Sequence, residues 1–412
     1  MWSSLPSPRR VAWEVVKSWF MAVVAVVAGI MGTTKIRKVL RGQRAHGFPV
    51  TPPATVETAR GAATVYTYGD HLFEDMIAAI DAAEDRIFFE SFIVKGDAEG
   101  HRFKAALQSA AARGVRVHVV YDAFANLVVR RRFFDFGPGI QVLRYPVYTA
   151  GFRPLSLRRW GRDHRKILVV DDTVGFIGGY NIGSLYATQW RDTHLRISGS
   201  AVWDLANAFV DFWNMLRPDA PIQGSGSTDW DPRVRIHRNV PRQLVFPIRG
   251  MYLEAIDRAT RHIHITAAYF IPDHDILEAL LQARQRGVAV TIVVPEISNH
   301  VVTDWLSRGF YGRLLAAGVR IHRYRDHMVH AKTCTIDGEW STIGTANIDR
   351  LSLSGNYEVN VEVVDAGLAA HLEEVFARDL TNCTELTRAE WDRRWVVSRA
   401  CELLLRPLRP LL

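Results

Sequence analysis

The sequence predicts an α/β protein: two similar α/β/α sandwich domains related by a pseudo-twofold duplication, with one active site at their interface. Three observations predict it. One pattern occurs twice: His164-Arg-Lys166-Ile-Leu-Val-Val-Asp171 returns as His330-Ala-Lys332-Thr-Cys-Thr-Ile-Asp337, 166 residues later. At the same offset Gly178-Gly-Tyr-Asn181 returns as Gly344-Thr-Ala-Asn347, and Asp192 as Glu358. A register held over so many positions marks an internal repeat. Within each copy, helical apolar periodicity alternates with short β-branched or aromatic runs. A Pro-, Gly- and Ser-rich stretch from Arg217 to Pro232 separates the copies as a linker.

The elements run in order. In the first copy, residues 71–84 and 101–113 carry helical periodicity, and Arg86–Val94, Val115–Tyr121 and Ile167–Val170 read as strands. In the second, Met251–Thr260 and Ile276–Gln285 read as helices, and Ile263–Phe270, Val288–Val294 and Cys334–Ile336 as strands. Arg113-Gly-Val and Arg286-Gly-Val also correspond, but at an offset of 173, so upstream loops differ in length. The resulting organisation is an arm at 1–55, a first domain at 56–216, a linker at 217–235 and a second domain at 236–412 ending in an amphipathic tail.

Composition narrows the class. The chain has 412 residues, 48% hydrophobic and 23% charged, enough to build packed cores. Its mean hydropathy of −0.03 excludes a many-span membrane protein. Three cysteines, Cys334, Cys383 and Cys401, cannot build a disulfide framework and show no CxxC spacing. The net charge of +8 is concentrated: residues 1–50 hold eight Lys and Arg against Glu14 alone, and the rest carries 43 basic and 42 acidic residues. A near-neutral body argues against a nucleic-acid partner, because backbone binding needs several phosphate contacts.

The basic arm surrounds Trp19–Met31, thirteen strictly apolar residues, or seventeen counting Ser18 and Gly32–Thr34. This predicts a membrane anchor, spanning or interfacial; a signal peptide lacks a convincing cleavage site, and a helix packed on the soluble body is the plain alternative. Five basic residues follow the run and three precede it, which puts the main body on the cytoplasmic side of an inner membrane. The tail at 388–412, with Trp391, Trp395, Arg393, Arg394, Arg399, Arg406, Arg409 and Leu403–Leu405, reads as an interfacial helix ending at Pro407 or a terminal helix docked on the core.

The repeated residues suit phosphorus chemistry. A histidine before a strand and a lysine two positions on share a face. Two such faces meeting would gather His164, His330, Lys166, Lys332, Asn181 and Asn347 around a phosphate, the lysines and carboxamides binding its oxygens without a metal or cofactor. One imidazole can attack phosphorus while the other handles the proton. Asp192 and Glu358, each 28 residues after its histidine, are candidates for holding Nδ1–H. Asp171 and Asp337 complete the motif and count with the catalytic set, or else fix the local loop. Histidines such as His262, His264, His322 and His327 read as surface or rim residues rather than metal ligands, and Cys334 as a buried thiol.

At these residues the chain resembles the phospholipase D superfamily, whose signature is the duplicated H-x-K-x4-D motif, and most closely its bacterial cardiolipin synthases. Supporting segments are Phe176–Ile182, Trp190–His194, Ala268–Pro272 and Asn356–Asn360. The resemblance implies a phosphatidyltransferase that passes a phosphatidyl group to phosphatidylglycerol through a phosphohistidine on His164, with His330 as acid and base. Hydrolysis with water as acceptor is the alternative, a nuclease-type phosphodiesterase a lesser one, and a catalytically silent lipid-binding protein another. The expected partners are a phospholipid substrate and a membrane surface; the sequence sets no oligomeric state. Two features depart from the family pattern. Leu351 stands where that pattern has Arg, and eighteen residues separate Tyr145 from His164 against five between Tyr324 and His330. The extra segment, Pro146–Asp163, carries Phe152, Arg153, Arg158, Arg159, Trp160 and Arg162, and reads as a lid, a membrane-facing lip or a plain loop.

Overall fold

A computed structural model describes residues 8–41, 47–147, 161–224, 226 and 230–411. Two eight-stranded sheets carry the repeat. Across the first run Ala54–Thr58, Gly61–Tyr66, His194–Ser198, Val174–Gly178, Lys166–Val170, Arg86–Ser91, Arg116–Asp122 and Ile140–Tyr145. Across the second run Val234–Asn239, Glu358–Val364, Trp340–Gly344, Lys332–Ile336, His262–Ala267, Ala289–Pro295, Arg320–Tyr324 and Cys383–Leu386. Each sheet joins a parallel set of three strands to an antiparallel set through the strand that opens with the motif lysine. The order repeats over seven strands, and each half adds one strand of its own at opposite edges, Ala54–Thr58 in the first sheet and Cys383–Leu386 in the second.

The core explains the layering. Strands such as Lys166–Val170 are buried throughout, as strands covered on both faces must be. Helices Gly69–Asp81 and Ala98–Ala112 press Leu72, Phe73, Ile80, Phe103 and Leu107 onto one face of the first sheet. Helix Ala201–Leu216 covers the other with Leu205, Phe209 and Trp213. That inner core continues into the second half through Val359, Val361, Val363 and Leu368, so the halves share one apolar interface. Helices Pro247–Arg258 and His274–Gln285 repeat the outer layer. Equivalent caps start the paired helices: Asp97 accepts from Gly100 N, and Asp273 from Ile276 N. The repeated Arg-Gly-Val ends them, with Gly114 at φ 96° and Gly287 at φ 92°, a left-handed stop that suits glycine.

Several sequence expectations shift. The first strand starts at Ala54, inside the predicted arm, and the second sheet at Val234, inside the predicted linker. The strand expected over Ile263–Phe270 ends at Ala267. The N-terminal segment is one helix, Pro8–Arg41, of which Ala12–Thr33 is long and apolar enough to cross a membrane. Counting only strictly apolar residues undersized it, because 22 residues rise about 33 Å as a helix. Val23, Val26, Val27 and Ile30 pack on Ile271, Leu306 and Leu405, while Phe20, Met21, Val24 and Met31 stay exposed. The tail helix, Val396–Leu405, runs on into a 3-10 turn over Arg406–Leu411 instead of stopping at Pro407. It is docked through Leu405, yet exposes Trp395, Val396, Val397 and Leu403.

The motif aspartates are corrected by their placement. Asp171 and Asp337 lie at the end of the motif strand away from the histidines, at φ 51° and 57°. Asp171 accepts 2.8 Å bonds from the amides of Glu84, Asp85 and Arg86. Asp337 does the same for Thr260, Arg261 and His262. These carboxylates fix the entry of the neighbouring parallel strand and do not belong with the catalytic set. Asp171→Ala should therefore destabilise the fold by about 1–3 kcal/mol, since three amides lose their acceptor, without altering activity per folded molecule. Thermal unfolding checks this; an unchanged Tm would show that the carboxylate does not hold the turn.

Candidate active site

Each motif histidine is positioned by backbone pairing with the other half. His164 N donates to Tyr357 O at 3.0 Å, beside a parallel bridge between Asp163 and Tyr357. His330 N donates to Arg191 O at 2.6 Å, beside parallel pairing of Met328–Val329 with Trp190–Arg191. The residue after each accepting carbonyl is a carboxylate. His164 Nδ1 consequently lies 3.0 Å from both oxygens of Glu358, and His330 Nδ1 2.6 Å from Asp192 Oδ2. The four residues come together as two pairs, but crossed: each carboxylate serves the histidine of the other half. Spacing along one chain segment carries no information about which half supplies a partner across a pseudo-twofold axis.

The carboxylates are buried, with Glu358 0% and Asp192 1% exposed. Asp192 Oδ1 also accepts from Thr193 N at 2.7 Å, and Glu358 from the Thr345 hydroxyl. A carboxylate only accepts, so it keeps the imidazole proton on Nδ1 and leaves Nε2 for the cleft.

Charge is distributed across both halves. Burial pushes Asp192 up, but Lys332 and His330 outweigh it and hold the carboxylate below its ordinary range. Burial likewise opposes Glu358, and His164, Lys166 and the Thr345 hydroxyl outweigh it. Burial lowers His164 against the pull of Glu358, with Lys166 and Lys332 adding to the fall. Burial and Lys332 push His330 down to about 3 against Asp192. Burial pushes Lys166 down to about 7 and Lys332 to about 8. Lys332 acts on His164, and Lys166 on His330, so the two motif copies occupy one site.

The remaining predicted residues are all buried. Lys166 Nζ donates to His164 O at 2.6 Å, and Lys332 Nζ to His330 O, leaving further ammonium protons for an anion. Asn181 is buried and accepts from Ile93 N at 3.2 Å. Asn347 is buried, and its side-chain oxygen has no protein partner among the described residues. Two neutral imidazoles aimed by carboxylates, with two ammonium groups between them, can carry out nucleophilic displacement at phosphorus.

Sequence reasoning left other contributors unassigned. The edge of Phe92 meets the His164 ring, 4.7 Å between centroids; Trp190 lies 5.0 Å from His330 and Tyr269 6.3 Å. Buried Asp349 caps helix Arg350–Ser354 through Ser352 N, and burial pushes it up to about 7 beside Lys332 and Glu358. Trp190 and Tyr269 sit inside segments already singled out, so their signal was present without a role. Leu351 and Arg350 are exposed on that helix. Of the extra segment, Phe152, Arg153, Arg158, Arg159 and Trp160 lie outside the described residues. Arg162 stacks over Tyr145 and Phe124 and pairs with buried Asp122 at 3.7 Å. Among the described residues, His262, His264 and Glu373 could share an ion, but they gather at the strand end that Asp337 holds, away from the histidine pair.

Residues 76–213 and 252–380 match the family described as cardiolipin synthase, phospholipase D-like domain. The major cardiolipin synthase ClsA of Bacillus subtilis (strain 168) is 32% identical over 373 residues, 87% of this chain and 77% of that relative. A cardiolipin synthase of Clostridium perfringens is 32% identical over 86% of this chain and 78% of its own. The fold is shared with the crystal structure of phosphatidylserine synthase from Haemophilus influenzae Rd KW20, at TM-score 0.66 and 15% identity over 87% of this chain and 95% of that one.

The crossed pairing has a spectroscopic consequence. Glu358 raises the His164 pKa. Glu358→Gln should therefore lower it further, whereas Asp192→Asn should leave it in place. Histidine-selective NMR titration reads both; a fall in Asp192→Asn alone would restore pairing within each half.

Proposed function

Because the chain belongs to the cardiolipin synthase family of phospholipase D-like proteins, we propose that it is a membrane-held phosphatidyltransferase that makes cardiolipin from two phosphatidylglycerol molecules. The observation that carries this reading is the crossed imidazole–carboxylate pair set around two buried lysines. His164 Nε2 attacks the phosphorus of the donor lipid. The phosphorus–glycerol oxygen bond breaks as His330, in its protonated form, gives that oxygen its proton, and free glycerol leaves. The phosphatidyl group is then bonded to His164. His330, now neutral, takes the proton from a hydroxyl of the second phosphatidylglycerol, whose oxygen attacks phosphorus and displaces His164. One phosphodiester replaces another, so the exchange is close to energy-neutral and needs no nucleotide.

Lys166, Lys332 and the carboxamides of Asn181 and Asn347 bind the phosphate oxygens and stabilise the charge that builds on them. Glu358 and Asp192 stabilise each imidazolium and hold its ring in line. The helix Pro8–Arg41 keeps the body at the bilayer. Basic residues on both sides of its apolar stretch attract anionic headgroups, at about 1 kcal/mol per charge near the surface. The excess on the following side supports a body on the cytoplasmic face.

Purified protein given labelled phosphatidylglycerol should yield cardiolipin and glycerol. Phosphatidic acid with no cardiolipin would make water the acceptor and overturn the transferase reading. His164→Ala and His330→Ala should each reduce turnover by about 10³-fold or more, as expected when one member of a coupled pair is lost.

The lysines predict a pH dependence. With Lys166 near 7 and Lys332 near 8 in the empty site, both ammonium charges are present below that range and are lost as pH rises through it. Because kcat/KM reports the free enzyme, it should fall as pH rises from about 7 through 8 and beyond. A profile flat to pH 10 would remove the lysine charges from phosphate recognition.

A further inference from the structure

Strands Arg116–Asp122 and Ala289–Pro295 hold the same position in the two sheets, and the chain leaves each at the end that carries the site. In the second half, the segment leaving the strand is covered: Val301, Val302, Trp305 and Leu306 pack with Trp19, Val23 and Ile30 of the apolar N-terminal helix. In the first half, the segment leaving the strand exposes Phe124, Leu127 and Val128 at 53%, 62% and 84%, and then the exposed Arg130, Arg131 and Arg132.

This display is held in place. Asp122 Oδ1 accepts from Phe124 N at 2.8 Å and Ala125 N at 3.1 Å, while Asp122 Oδ2 accepts from Asp163 N, one residue before His164. Asn126 donates to Phe92 O at 2.8 Å and Asp122 O at 2.7 Å, and accepts from Val94 N at 2.9 Å. Phe92 in turn packs on His164. The tip is thus tied by hydrogen bonds to the wall of the catalytic cleft. A fixed apolar tip followed by three exposed arginines matches the chemistry of an anionic lipid interface, apolar residues for the acyl boundary and cations for the headgroups.

We propose that the loop Phe124–Arg132 is a membrane-inserting element that seats the mouth of the cleft on an anionic bilayer. Leu127 and Val128 enter the acyl boundary, Arg130–Arg132 bind headgroup phosphates, and a donor lipid reaches His164 without leaving the membrane as a monomer. The two halves then meet lipid in unlike ways, the second through the apolar helix it carries and the first through its own loop. This rests on the lipid-transferase reading above.

Two measurements on the full chain test it. The first compares wild type with Leu127→Ser/Val128→Ser on long-chain phosphatidylglycerol vesicles and on short-chain phosphatidylglycerol below its micelle concentration. Vesicle turnover should fall by ~10-fold or more, with turnover of the monomeric lipid unchanged. Equal loss on both substrates would make the loop a support of the catalytic wall, and no loss on either would end the proposal. The second places an environment-sensitive fluorophore on Val128→Cys in a chain also carrying Cys334→Ala, Cys383→Ser and Cys401→Ser. Its emission should shift to the blue with phosphatidylglycerol vesicles and much less with phosphatidylcholine vesicles, and Arg130→Gln/Arg131→Gln/Arg132→Gln should weaken the shift. This readout needs no turnover: a shift without product would sink the transferase reading and keep the loop, and an unshifted label would sink the loop whatever the reaction.

Discussion

Two ionised carboxylates buried beneath two imidazoles are the constraint on which the rest of the structure depends. A buried carboxylate without partners costs several kcal/mol, and here each finds its imidazole across the interface. Glu358 needs His164, and Asp192 needs His330. A half taken alone would bury a carboxylate with no imidazole and leave a histidine with no orienting acceptor. Assembly of the halves and assembly of the site are therefore one event, and the shared apolar core of Val359, Val361, Phe209 and Trp213 supplies the burial that makes the pairing strict.

Beneath the crossed pairs the pseudo-symmetry breaks. Arg165, between His164 and Lys166, points to the opposite face of its strand and is buried with Glu90, Asp163 and the carbonyl of Ala208. Its counterpart in the second half is Ala331, fully buried in a small apolar cluster. Arg191, before Asp192, grips Asp379 with two bonds of 2.9 and 2.7 Å from helix Ala366–Leu380. Its counterpart, Tyr357, packs on Tyr145 and Phe212 instead. One half is held by buried ion pairs where the other is held by aromatic and apolar packing. Both solutions fix the same backbone pairing, so the groups facing the cleft stayed alike while the layer behind them diverged.

Legibility in the sequence divides along the same line. The fold class, the two-half organisation and the residues His164, Lys166, Asn181, Asp192 and their partners 166 positions on could be read because duplication preserved their register. The covering helices Ala201–Leu216 and Ala366–Leu380 were not marked, since their positions carry no repeated chemistry. Asp171 and Asp337 share the motif's regularity for another reason: both halves need a carboxylate at a left-handed turn to start the next strand, and repetition alone cannot separate that need from catalysis. The crossed pairing was invisible because it belongs to three-dimensional exchange between halves. The exposed tip at Leu127 and Val128 was missed because three apolar residues among arginines look like an ordinary strand end until their burial is known.

The charge within the cleft explains how substrate and acid arrive together. Below about pH 7 two ammonium groups face two carboxylates, and burial keeps both imidazoles neutral, so the empty site is close to balanced. A phosphodiester brings one negative charge into that low-dielectric space, where charge interactions are stronger than in water. Balance returns when one imidazole binds a proton. His330, pushed to about 3 in the empty site, is a poor proton carrier until an anion sits beside it. On the proposed mechanism, the phosphate that the lysines admit would also make the acid available, while the other imidazole stays neutral and nucleophilic. An uncharged ester of the same shape would bind without raising that pKa and would find no proton for its leaving group. On that mechanism, selectivity for anionic lipid would lie in the protonation step as much as in the fit of the headgroup.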